Sequence, residues 1–258
     1  MKQDRIFDGL SQHFRHTIYG SEDPRGKIRL YILQDDLLKY VQPDSSQWIL
    51  DAGGGLGQMS MWLAELGYQV VLAEPSPEML TEARLAIESV GMSERIRLQA
   101  ATIQELAVKT SHSFQGIVMH AVLEWLAEPR TTLQQLLHLL QPGGWLSLMF
   151  FNQYSKEMRH LLAGDFAALQ QKPVRSNVQN HLKPISPLPP EEVLSWLPEL
   201  GLELVSWSGV RCFYDYAYPN IRKNMELNTL LQMERAYSQR EPWRSLARYQ
   251  HFFCRKLL

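Results

Sequence analysis

Short apolar runs alternate with helix-period stretches through the middle of the chain. The first run, Trp48-Ile49-Leu50, predicts a strand over 48–50, and 57–66 carries the helical spacing that follows it. Gln69-Val70-Val71-Leu72-Ala73 predicts a second strand over 69–73. Ser76 is a good N-cap, Pro77 fits the first helical position, and Gly91 closes that helix. Further strands are predicted over 95–100, 114–120 and 145–151, with a helix over 129–140 stopped by Gln141-Pro142-Gly143-Gly144. Stretch 145–151 is almost wholly apolar, as a strand covered on both faces should be. Strand and helix in alternation imply a parallel sheet.

Outside that block the rhythm changes. Residues 4–14 and 27–41 read as helices ahead of the sheet. After Asn152 the pattern predicts a helix over 156–170, a proline-bearing loop or lid over 171–190, and a helix over 190–200. Two late strands, 203–213 and 250–255, flank a helix over 225–238. The expected fold is α/β and Rossmann-like: a seven-stranded, mostly parallel sheet with helices on both faces, a helical amino-terminal extension and a helix-and-loop insertion after strand five. The expected organisation is one domain over 1–258, with a cap (1–47), a ligand-binding core (48–152), an insertion (153–200) and closing strands (201–258).

Composition narrows the function classes. Apolar content of 45% and seven tryptophans suffice for a substantial core. The two cysteines, Cys212 and Cys254, are too few for a disulfide scaffold or a zinc site and suggest a reducing cytoplasm. The amino terminus lacks the apolar core of a signal peptide, and no apolar run approaches the ~18 residues of a membrane span. Net charge is −1, unevenly distributed: residues 1–152 hold 12 Lys and Arg against 17 Asp and Glu, and residues 153–258 hold 14 against 10. The basic second half is compatible with a polyanionic partner.

The run Asp51-Ala52-Gly53-Gly54-Gly55-Leu56-Gly57 lies between the first strand and its helix. Glycine permits a tight turn and removes the Cβ that would block a ligand. A dinucleotide fingerprint begun at Gly53 needs glycine at 58, where the chain has Gln58. The pattern that fits, D-x-G-x-G-x-G, resembles the S-adenosylmethionine loop of class I methyltransferases. In that setting the amides of the turn and helix suit the methionine tail's carboxylate. Asp51 either takes the tail's ammonium or braces the loop. Glu74, at the end of the second strand, is placed to accept from a ribose diol. Ile103 and Gln104, after the third strand, are adenine candidates, in a stretch where Thr102 and Glu105 also have capping-box spacing. His120 ends the fourth strand, facing the crevice, to contact the cofactor or orient the acceptor. No metal site is expected.

The whole chain resembles the bacterial tRNA 5-carboxymethoxyuridine methyltransferases. The match is carried by Ile18-Tyr19-Gly20, Asp51-Ala52-Gly53-Gly54-Gly55, His120-Ala121-Val122-Leu123-Glu124-Trp125, Leu146-Ser147-Leu148-Met149-Phe150, Gly209-Val210-Arg211 and Gln239-Arg240-Glu241-Pro242. The resemblance implies methylation of the carboxylate of 5-carboxymethoxyuridine at tRNA position 34, with S-adenosylmethionine as donor. It implies cofactor contacts at Arg29, Gly53, Gly54, Glu74, Ile103, Gln104 and His120. The family pattern has aspartate where this chain has Glu74, and glutamate can still accept from both ribose hydroxyls. Tyr19, Arg211 and Tyr214, with Tyr154, are the expected acceptor-positioning residues. Lys156, Arg159, Lys172, Arg175, Lys183, Arg222, Lys223, Arg235, Arg240, Arg244 and Arg248 are the expected phosphate contacts. The alternatives are a small-molecule carboxylate or O-methyltransferase, and a SAM-binding protein without turnover.

Overall fold

Seven strands form one sheet in the order β3-β2-β1-β4-β5-β7-β6 in a computed structural model that describes residues 3–7, 23–109, 113–170 and 184–258. The strands are β1 (Trp48–Ala52), β2 (Gln69–Ala73), β3 (Ile96–Gln99), β4 (Phe114–His120), β5 (Leu140–Phe151), β6 (Leu202–Val210) and β7 (Tyr249–Lys256). The first five are parallel; β7 enters antiparallel between β5 and β6. The chain therefore reverses strand order beside β1 and β4, and a ligand crevice opens outside their carboxyl ends.

Helices cover both faces of the sheet. On one side α1 (Pro24–Leu38), α2 (Gln58–Glu65) and α3 (Pro77–Ser89) bury Leu37, Met59, Leu63, Leu80, Ala83 and Ile87 against Ile49, Val70, Leu72 and Val118. On the other, α4 (Ile103–Lys109), α5 (Pro129–Leu137) and α8 (Pro190–Glu199) bury Leu106, Leu133, Leu136, Val193 and Trp196 against Leu50, Ile117, Leu146 and Phe252. A third cluster joins Ile28, Ile32 and Leu33 of α1 to Met149, Val210, Tyr214 and Leu230. The carboxyl-terminal elements are thus tied to the amino-terminal helix.

Several boundaries differ from the sequence expectation. Residues 3–7 are not helical, and the rest of the 4–14 stretch lies outside the described residues. The next helix begins at Pro24 rather than 27, because Asp23 caps it by accepting from the Arg25 amide at 2.9 Å. Gln141-Pro142-Gly143-Gly144 lies inside β5, as a register shift between the Phe114–Leu140 and Gly116–Trp145 pairs, instead of ending the preceding helix. The helix expected over 156–170 starts earlier, where Asn152 caps it, and breaks at Gly164 into α6 (Gln153–Leu162) and α7 (Phe166–Gln170). The strand expected over 203–213 stops at Val210, where Arg211 turns with φ +63°. Beyond it come α9 (Pro219–Arg222), α10 (Leu227–Tyr237) and α11 (Trp243–Leu246). Of the expected lid, 171–183 lies outside the described residues; 184–189 is held down, with the Ile185 and Ser186 amides donating to the Glu124 carbonyl at 2.9 Å.

Candidate active site

The turn between β1 and α2 is built around close approach. A Cβ on Gly54 would lie 2.8 Å from both Asp51 Oδ2 and Leu72 Cγ, so only glycine fits. Gly57 takes φ +81° and begins α2 without a side-chain cap. The glycine amides do not face a ligand as the sequence suggested. Those of Gly53 and Gly54 donate to the Ala73 carbonyl at 2.8 and 3.2 Å, and that of Gly55 to Glu74 Oε2 at 3.2 Å. The loop spends its donors on shaping itself, and the first residues of α2, Gln58 and Met59, border the recess instead.

Asp51 is a brace. It is 3% exposed and accepts from Ser60 Oγ at 2.7 Å, pinning the first turn of α2 to the end of β1. Burial pushes its carboxyl up to about 6, against the bonds from Ser60 and the charge of Arg29. It still borders the recess, together with Gly53, Gly54, Arg29 and His120. Glu74 fixes the loop through Gly55 and its own turn through the Ser76 amide at 3.0 Å, while lining the main cleft.

That cleft opens to solvent, and with the open space at its mouth it spans about 1050 Å³. Arg29, Gly53, Gly55, Glu74, Ile103, Gln104 and His120 all line it. Ile103 contributes a buried apolar wall. Thr102 and Glu105 form the capping box at the start of α4: Glu105 Oε2 accepts from the Thr102 amide at 2.9 Å. The Gln104 amide donates to Asp4 Oδ2 at 2.8 Å. Asp4 belongs to a strap that sequence reasoning missed. The Arg5 amide donates to the Trp125 carbonyl at 3.0 Å, and the Phe7 ring meets Trp125 edge-on at 4.7 Å. The strap forms one wall of the cleft.

His120 heads a buried polar chain whose other members the sequence did not reveal. Its Nε2 lies 2.7 Å from Ser147 Oγ, which lies 2.9 Å from His251 Nε2; His251 Nδ1 lies 2.9 Å from Asp36 Oδ2. Arg235 Nη1 pairs with Asp36 Oδ1 at 2.9 Å. Burial works to raise the Asp36 carboxyl, but the bond from His251 and the Arg235 charge outweigh it and keep it ionised. A carboxylate only accepts, so His251 Nδ1 donates to Asp36. Arg235 balances the remaining charge of Asp36, His251 Nε2 shares a hydrogen bond with the Ser147 hydroxyl, and that hydroxyl shares a second with His120 Nε2. Burial, with His251 and Arg29 nearby, holds the His120 imidazole well below its usual value, so it is neutral. His120 Nδ1 is buried with no hydrogen-bond partner, in a residue that lines the cleft. Ala121, the next residue, holds φ +58° there.

The expected acceptor-side residues are placed differently. Tyr19 lies outside the described residues. Arg211 is clamped on Asp215, with Nε 2.7 Å from Oδ2. Tyr214 packs with Ile28, Ile32 and Leu230. The Tyr154 hydroxyl donates to Glu191. Neither Arg211 nor Tyr214 lines the cleft; Tyr249, under the Arg211 guanidinium at 5.8 Å, does. Arg235 is turned inward onto Asp35 and Asp36, and Arg244 pairs with Glu241 while covering Trp207 at 3.9 Å. Neither offers a free cation to a phosphate. Among the described residues no cluster suits a metal ion.

The residues fit S-adenosylmethionine. The cleft has an apolar wall and a strand-end carboxylate, the adjoining recess has a cation, and the unpartnered His120 Nδ1 belongs to a residue lining both, a set whose chemistry suits the parts of that molecule. Fold and site together define a class I S-adenosylmethionine-dependent methyltransferase. The family described as Methyltransferase domain matches residues 50–148. A putative sarcosine dimethylglycine methyltransferase from Galdieria sulphuraria superposes with a TM-score of 0.61 at 13% identity, over 97% of this chain and 99% of its own. A Burkholderia thailandensis 1,6-didemethyltoxoflavin-N1-methyltransferase, solved with S-adenosylhomocysteine, gives 0.56 at 16% identity, over 96% and 88%. The tRNA 5-carboxymethoxyuridine methyltransferase of Escherichia coli K12 is 37% identical over 256 residues, 98% of this chain and 97% of the relative. The chain belongs to the tRNA 5-carboxymethoxyuridine methyltransferase family.

Proposed function

We propose that the enzyme methylates the carboxylate of 5-carboxymethoxyuridine at wobble position 34 of tRNA, giving the methyl ester. The observation that carries this reading is the 37% identity to the E. coli relative of that name, which extends through the closing strands and helices on the acceptor side as well as the cofactor half. The buried, unpaired cysteines fit a reducing cytoplasm, where we place the reaction.

Bound S-adenosylmethionine supplies an electrophilic methyl group. The protein's part is alignment and water exclusion. We assign Arg29 and the start of α2 to the methionine tail, Glu74 to the ribose diol, Ile103 and Gln104 to adenine, and His120 Nδ1 to a polar group of the cofactor. A carboxyl acceptor ionises near pH 4, so it arrives as a charged nucleophile and needs no general base. Tyr19, with the Arg211–Asp215 pair and Tyr214 behind Tyr249, belongs to the acceptor side. The test is to incubate enzyme and S-adenosylmethionine with tRNA from cells lacking the modification, then analyse its nucleosides by mass spectrometry. The expected result is one methyl gained on 5-carboxymethoxyuridine; no gain refutes the assignment.

A further inference from the structure

Besides His120 Nδ1, three buried polar atoms in segments that flank the cofactor cleft lack a hydrogen-bond partner of ordinary geometry: Arg248 Nε, Ser155 Oγ, which lies beside the Tyr216 hydroxyl, and Glu124 Oε2. Native interiors leave few such atoms unless something else binds them. Arg248 is the most telling. It precedes β7, and its backbone is locked on both sides: its amide donates to the Arg211 carbonyl at 3.0 Å, and the Asn152 amide donates to its carbonyl at 3.2 Å. Its guanidinium lies over the Phe151 ring at 4.5 Å and makes no ion pair among the described residues. Arg248 is half-buried, with its Nε sealed from solvent and bonded to nothing, and a donor left so is costly until an incoming anion accepts from it.

The neighbouring charges do not supply that anion. Asp215 is committed to Arg211 through two hydrogen bonds. Glu124 faces both Arg29 and Arg248, but burial pushes its carboxyl up to about 7, so at neutral pH it is ionised only in part. Arg159, exposed on α6, and Arg248 both add to the positive field at Asp215. Ser155 sits in the first turn of α6, which begins at the Asn152 bonded to Arg248. The Ser155 hydroxyl and the Arg248 guanidinium both lie beside Tyr216, within that positive field.

Arg248 and Glu124 stand behind the cleft wall rather than in it: Tyr249, next to Arg248, lines the cofactor cleft, and Glu124 lies between the cleft residues Val122 and Trp125. Resting on the acceptor reading above, we infer that Arg248, assisted by Ser155, is the anchor for the carboxylate that receives the methyl group. A guanidinium can hold one carboxylate oxygen while the other faces the donor. The methyl ester has lost the charge that Arg248 recognises, so substrate binds more tightly than product.

The test compares tRNA carrying 5-carboxymethoxyuridine with tRNA carrying its methyl ester, each titrated against enzyme loaded with S-adenosylhomocysteine. Charge-assisted hydrogen bonds imply that wild type prefers the acid form by roughly tenfold or more. Arg248→Gln should abolish the preference with S-adenosylhomocysteine affinity unchanged, and Arg248→Lys should retain part of it. Ser155→Ala, a smaller change, should reduce it by about threefold and serves if Arg248→Gln does not fold. A wild-type-sized preference in Arg248→Gln, or in Ser155→Ala should that be the only folded variant, overturns the anchor while leaving the methylation reading intact. A wild-type enzyme that adds no methyl to the acid form overturns both.

Discussion

At the scale of residues, His120 shows how a side chain of ambiguous meaning acquires a defined role. A histidine at a strand end could accept, donate or merely pack. The chain Asp36–His251–Ser147–His120 orients the ring and leaves its Nδ1 unpartnered beside the cleft. None of the three supporting residues was legible as functional, because each comes to His120 from a distant element: Ser147 from β5, His251 from β7 and Asp36 from α1. Sequence spacing carries no record of a register between distant strands. Ser147→Ala tests the chain. It leaves His120 Nε2 and His251 Nε2 without partners in a buried site, so the ring loses its fixed orientation. S-adenosylmethionine affinity should fall by about tenfold, corresponding to ~1.4 kcal/mol for one lost buried hydrogen bond. Titration calorimetry checks it, and unchanged affinity would separate His120 orientation from cofactor binding.

Among the elements, the strand–glycine–helix unit was legible because three independent signals coincide there: an apolar run, obligatory glycines and helical spacing. The donor arrangement inside it was not, since the glycine amides turn to the Ala73 carbonyl and Glu74. The start of β5 was misread for a related reason. Gln141-Pro142-Gly143-Gly144 looks like a stop signal, yet the neighbouring β4 recruits it through Leu140, and the irregularity is absorbed as a bulge. That bulge sets the register bringing Trp145 across from Gly116. A Cβ built on Gly116 would sit 2.2 Å from Trp145 Cε2, and Trp145 is 2% exposed, with no room to retreat. Gly116→Ala should therefore destabilise the fold by about 1–3 kcal/mol through overpacking. The readout is the urea midpoint, and combining it with Trp145→Leu, which clears the space, should give less than the sum of the two single effects. Additive effects would show that the contact is not what excludes a side chain at 116.

Over the whole molecule, the parallel half carries the cofactor site and the antiparallel half carries the excess positive charge, with α1 packed across both. The structure reduces the cations available to a polyanion. Arg235 and Arg244 are consumed by Asp36 and Glu241, and Arg211 by Asp215. Lys223, Arg240 and Arg159 remain exposed, and Arg222 is half-buried over the Tyr214 ring. Three or four phosphate contacts imply a slope of about −2 to −3 for log affinity against log salt, using ~0.7 per neutralised phosphate on single-stranded RNA. Binding of tRNA should thus weaken by roughly 20- to 60-fold between 50 and 200 mM salt. Cofactor affinity, set inside a cleft by short-range contacts, should change little over the same range. Lys223→Gln and Arg240→Gln should each lower the slope by about 0.7 and leave cofactor binding intact. A flat salt profile for tRNA would place the RNA on another face, because no rearrangement of neutral contacts reproduces counterion release. If the slope persists in both variants, the phosphates are met elsewhere, and the exposed cations around α9 and α10 are not part of the RNA path.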